Sequence, residues 1–281
     1  MNFLSAYISG IKAIFAKGKM WWLIYFFNFL FAVFLAYPLS GFLEEKLGNT
    51  LATDQLKEGF DFTVFYDFIN KYGDFISWLQ DQSLIGMLLY LLLSIFLVGG
   101  ILTVFWEKDK IFRFSEFWAG SSMYFWRMLR LTIYFIFAQL ILLGVFFTLF
   151  SVLTSGGLER FQNEGEIYRR GLMILPFYFL FATVLFMIQD YAKIHVVKMD
   201  KKIIFQPILQ SVRWVFKNFV PSFSLYFLNL LTFLIFFGIY WKLNDVNVVL
   251  FSFLIGQFFV FSRIGLKLLN LASATALFQQ R

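Results

Sequence analysis

Six stretches of about 20 consecutive apolar residues run through the sequence, at 20–42, 83–106, 131–153, 172–194, 221–241 and 246–266. A bilayer core of about 30 Å takes about 20 helical residues at 1.5 Å each, and lipid offers no partner to an unpaired backbone group. Such stretches read as membrane-crossing helices. The first three and the fifth carry no charge, the fourth is charge-free as far as Asp190, and the sixth as far as Arg263. Composition agrees: of 281 residues 60% are apolar and 15% charged, with a mean hydropathy of +0.74. The 43 Phe are spread over the whole length, so no low-complexity segment produces these values. The expected fold is an all-α polytopic membrane protein forming a single domain over 1–281. Its first span exceeds the apolar run of a usual signal peptide, and is expected to be a retained anchor.

Lys and Arg divide unevenly between the segments that flank the spans. The N-terminus, the second–third and fourth–fifth connections and the C-terminal end together hold 17 basic and five acidic residues; the other three connections hold seven basic and 12 acidic. The positive-inside rule then places both termini in the cytoplasm. It also explains the net charge of +7 without nucleic acid, because these cations are scattered among Phe and Trp at a membrane face, where anionic headgroups attract them.

The chain shows signs of a threefold repeat. An offset of 201 superposes Phe15 on Phe216, Tyr25 on Tyr226, Asn28 on Asn229 and Leu30 on Leu231; an offset of 91 places Asp109-Lys110 on Asp200-Lys201 and Phe125 on Phe216. Each unit would comprise a cytoplasmic interfacial helix, an outgoing span and a returning span, starting near Gly10, Gly120 and Ser211. Leu4, Tyr7, Ile8, Ile11 and Ile14 recur at helical spacing in the first interfacial helix, and Ile208, Val212, Val215 and Phe219 in the third. The second is expected over 115–129. Outside, Phe62, Phe65, Phe68, Ile69 and Tyr72 alternate helically with Asp61, Asp67, Asn70 and Asp74, predicting an external amphipathic helix over about 61–80. It rests on the outer leaflet, caps the bundle or docks a partner.

Polar groups inside a span are costly, and they are where function is sought first. Counting 1.5 Å per residue, Asn28, Gln139 and Asn229 lie about 12 Å deep, and Gln257 arrives at a similar level. This layer either bonds helices together or lines a hydrated path. Asp190 and Arg263 both fall about 26 Å from the outer ends of their spans, so they are expected either to pair and lock the fourth span to the sixth, or to snorkel separately. His195 is expected at the interface.

Chemistry finds no foothold. Without Cys there is no disulfide, thiolate nucleophile or iron–sulfur cluster, and one His cannot build a multi-His metal site. The phosphate-cradling, dinucleotide, zinc-protease and serine-hydrolase motifs are all absent, and Glu44-Glu45 and Glu164/Glu166 sit in polar loops. No cofactor, metal or catalytic role is expected. The remaining functional expectation is a non-catalytic accessory, scaffold or assembly subunit whose partners are the bilayer and another membrane protein; the alternative is a channel or carrier for a small polar solute or ion along the four amides.

Gly99-Gly100 ending a span, then Phe114-Ser115-Glu116-Phe117-Trp118 and Tyr124-Phe125-Trp126-Arg127, and later Asp190-Tyr191-Ala192-Lys193-Ile194, resemble the membrane domain that accompanies some bacterial glycerophosphodiester phosphodiesterases, and related uncharacterised six-span families. The resemblance implies a bacterial inner-membrane protein of all-helical fold, with Asp190 in a recurring structural motif. The soluble phosphodiesterase barrel has no counterpart here, so its activity is not implied.

Overall fold

A computed structural model describes residues 3–47, 62–107, 111–153, 164–200, 203–243 and 249–280. Among these there are no strands, and nine helices follow in order: α1 (Phe3–Ala16), α2 (Gly18–Leu47), α3 (Phe62–Lys71), α4 (Gly73–Trp106), α5 (Phe114–Leu153), α6 (Glu164–Met199), α7 (Phe205–Lys217), α8 (Phe219–Leu243) and α9 (Val249–Gln279). Six of them, α2, α4, α5, α6, α8 and α9, are long and apolar enough to cross a membrane. The chain is an all-α, multi-pass membrane protein.

Several helices run well past the apolar stretches that announce them. The 34 residues of α4 and the 40 of α5 reach about 50 and 60 Å, longer than the hydrocarbon is thick. Two expectations change as a result. The second interfacial helix is not separate, because α5 continues unbroken from Phe114 through its span. Its neighbours do break, at Lys17 between α1 and α2 and at Asn218 between α7 and α8. Gly18 opens α2, and Pro221 lacks the N–H that would reach back to the carbonyl of Lys217; the corresponding stretch of α5, Arg127 to Arg130, has neither Gly nor Pro. The external helix is likewise in two pieces. It turns at Tyr72, and from Gly73 onward it belongs to the second span. Asp61, where the expected helix began, lies outside the described residues, as does most of the remaining external loop sequence at 48–60 and 154–163.

The chain divides into two compact units, Trp22–Ser94 and a larger one combining Met1–Trp21 with Ile95–Arg281. In the smaller unit the hairpin of α2 and α4 is held by aromatic contacts. Phe42 stacks on Phe75 with ring centroids 3.4 Å apart, Phe31 lies 5.5 Å from Tyr90, and Leu35 covers Gly86.

In the larger unit each interfacial segment packs on the C-terminal end of a returning span. The contact is α1 on α9, the first half of α5 on the end of α4, and α7 on α6. Small residues make the approach possible where the repeat units begin. A Cβ on Gly10 would stand 2.9 Å from the Ser273 backbone nitrogen, a Cβ on Gly120 would strike Thr103, and Ser211 is fully buried. Membrane helices lack a hydrophobic force between them and associate by such close backbone packing. The end of α9 supplies much of the core: Leu268, Leu269, Leu271, Ala272, Ala274 and Leu277 are all buried.

Candidate functional site

Where α6, α8 and α9 meet, four polar side chains form one network centred on Asp190. Lys193, one turn on along α6, donates to Oδ1 at 2.9 Å. The Tyr226 hydroxyl of α8 and the Asn270 amide of α9 donate to Oδ2 at 2.6 and 3.0 Å. Asn229, one turn beyond Tyr226, donates to Asn270 Oδ1 at 3.1 Å and to the Leu225 carbonyl at 3.2 Å. The Asp190 and Lys193 side chains are only 14% and 16% exposed, so the pair sits largely out of solvent and takes its stability from these extra bonds.

Arg263 is not in this network. It is exposed, and among the described residues no ion pair joins it to Asp190. Arg263, Lys267 and Asn270 share one face of α9 at helical spacing, but Asp190 meets that face at Asn270, seven residues or about 10 Å further along than Arg263. Lys267 lies between, within electrostatic reach of Asp190, Lys193 and Arg263.

The four amides have separate surroundings. Asn28 belongs to the smaller unit, where Tyr90 donates to its Oδ1 at 2.5 Å and its own Nδ2 bonds the Ile24 carbonyl at 2.7 Å. Asn229 belongs to the Asp190 network. Gln139 is half-buried in α5 and its Nε2 meets no hydrogen-bond acceptor among the described residues. Gln257 is half-buried in α9. His195 is buried, its ring 4.7 Å from that of Phe278 in an edge-to-face contact.

A second polar junction lies at the C-terminal end of α4. Lys17 is only 4% exposed, and its ammonium donates to the carbonyls of Val104 and Glu107, the latter at 2.7 Å. Gln279 Nε2 donates to the Trp106 carbonyl at 2.9 Å. A helix leaves its last carbonyls unpaired with partial negative charge, so a buried cation and an amide donor satisfy them directly. Nearby, Trp21 stacks on Phe261 with centroids 4.4 Å apart and donates to its carbonyl at 2.9 Å. The sequence shows Lys17 only as one of the N-terminal cations, although its place beside Gly18, at a helix break, marks it.

Chemically, both junctions tie helices together through side-chain hydrogen bonds, although Asn229 Oδ1 and Gln279 Oε1 are buried without a hydrogen-bond partner among the described residues. Among the described residues no three His, Asp or Glu side chains gather as metal ligands would. No family model, curated protein or solved structure matches the chain.

Proposed function

We propose that the protein is a non-catalytic accessory of a bacterial inner membrane, a scaffold or assembly subunit with both termini in the cytoplasm. The observation that carries this reading is the use made of its polar side chains. Asp190 of α6 accepts from Tyr226 of α8 and Asn270 of α9, Lys17 bonds the carbonyls at the end of α4, and Lys193 pairs with Asp190 within α6. The contact of α1 with the end of α9 supports a common side for the two termini, and the Lys/Arg imbalance supports the cytoplasm as that side. A path along the amides is less well supported, since Asn28 bonds Tyr90 and the Asn229 NH2 group donates to Asn270 and the Leu225 carbonyl.

We assign the proposed protein neighbour to the outer surface of α5. Only 6% of its most apolar stretch is buried within the chain, and Ile133, Phe137, Ile141 and Phe147 are all exposed. Photo-crosslinking residues placed at Phe137 and Ile141 in native membranes are expected to trap one protein species reproducibly, while the same group at exposed Phe15 on α1 does not. Crosslinks to lipid alone from both α5 positions would contradict the scaffold reading.

A further inference from the structure

A cavity of about 310 Å³ lies between α1, α9 and the end of α4, at the lower end of the range of small-molecule sites. Small side chains leave the space: Ala13 and Ala16 of α1 and Ala272 and Ala276 of α9 line it, with Phe105 of α4. Its charge is of one sign. Lys12 and Lys17 stand on the wall, and among the described residues no carboxylate lines it, Glu107 included. The Lys17 ammonium lies 5.8 Å from the Phe105 ring centroid and donates to the carbonyls of Val104 and Glu107. A helix end offsets only about half a unit charge, so the wall remains net positive. Lys12 is exposed and enters no hydrogen bond or ion pair among the described residues, which leaves its N–H donors available.

The neighbours of Lys12 set the level of the cavity. Ile8 and Phe15, four residues before it and three after, share its face of α1 and are 52% and 73% exposed. Large apolar side chains turned outward beside a lysine are what an interfacial helix presents to the headgroup boundary, where the ammonium snorkels. A phosphate held here by its lipid keeps its acyl chains in hydrocarbon, a contribution that free phosphate lacks. Two cations also repel a head that carries its own ammonium. The Ser9 hydroxyl, on the same wall, gives its proton to the Ser5 carbonyl at 2.8 Å and so offers lone pairs to a hydroxyl. A phosphodiester with an uncharged, hydroxylated alcohol matches this lining.

We propose that this cavity binds the head of an anionic phospholipid of that kind, such as phosphatidylglycerol, its phosphate on Lys12 within the field of Lys17 and a hydroxyl on Ser9. This goes beyond the scaffold reading and does not require it. The test is native mass spectrometry of the full-length protein released from vesicles holding phosphatidylglycerol, phosphatidylethanolamine and phosphatidylcholine in equal amounts. Adducts of phosphatidylglycerol are expected to exceed those of the other two by about fivefold, the share of one lysine near an anionic surface. Because Lys17 also satisfies the end of α4, the variants are Lys12→Gln, at an exposed position, and Ala16→Phe, which keeps both cations and fills the cavity. Each should lose the preference while keeping its helical circular dichroism. Excess inorganic phosphate, compared with chloride at equal ionic strength, should leave the adduct in place. Equal retention of the three lipids, an unchanged preference in Lys12→Gln, or displacement by inorganic phosphate would overturn the proposal. So would full preference in folded Ala16→Phe, which would mean diffuse attraction to a basic face.

Discussion

Asp190→Ala is expected to destabilise the protein by about 3–5 kcal/mol, the cost of removing one partner of a buried ion pair and stranding the other. Lys193, whose side chain is only 16% exposed, would be left without its carboxylate, while the Tyr226 hydroxyl and the Asn270 amide would lose their common acceptor. The double variant Asp190→Leu with Lys193→Met removes the stranded charge, and a buried pair replaced by apolar residues is often neutral. It should therefore recover much of the loss, short of the share owed to Tyr226 and Asn270. Unfolding of purified protein in mixed micelles, followed by helical circular dichroism, measures both. A double variant as unstable as the single would mean that the stranded Lys193 charge is not what makes Asp190→Ala costly.

Gly100→Ala should be destabilising by about 1–3 kcal/mol, the usual cost of forcing a methyl group into closed packing, and Gly100→Val more so. A Cβ at this position would lie 2.5 Å from the Phe117 carbonyl oxygen, 2.9 Å from the Phe117 ring and closer still to Ser121 Oγ. The carbonyl belongs to the backbone of α5, which cannot rotate aside as a side chain can. Gly144 and Gly238 provide the comparison, because a Cβ on either meets nothing within 4 Å. Gly→Ala at those sites is expected to be neutral or stabilising by up to about 1 kcal/mol through helix propensity. The same chemical change thus carries opposite signs at different sites, and equal effects at Gly100 and Gly238 in the same unfolding experiment would contradict the packing of α4 on α5.

The six spans are legible in the sequence because length and hydropathy decide them, and both are local properties. Their ends are not, since a helix continues into polar sequence until something stops it. This is why α4 absorbs half of the expected external helix and α5 absorbs its interfacial segment. The same limit hid Asn270. Arg263 and Lys267 look like the end of the sixth span, whereas α9 continues to Gln279 and buries the residues beyond them. Depth counting offered Arg263 as a partner for Asp190 on the assumption that neighbouring spans start level, whereas the α9 residue that bonds Asp190 is Asn270, seven residues further along. Depth also says nothing about direction around a helix, so amides counted to one level need not share surroundings.

The most direct test of the whole account is membrane sidedness. Single cysteines can be introduced into the naturally cysteine-free chain, one at Ser9 beside the N-terminal lysines and one at Asp74 after the first crossing, and probed in intact cells with a membrane-impermeant maleimide. Six crossings oriented by the Lys/Arg imbalance predict that Asp74→Cys reacts from outside and that Ser9→Cys reacts only after permeabilisation; labelling of both positions from the same side would contradict it.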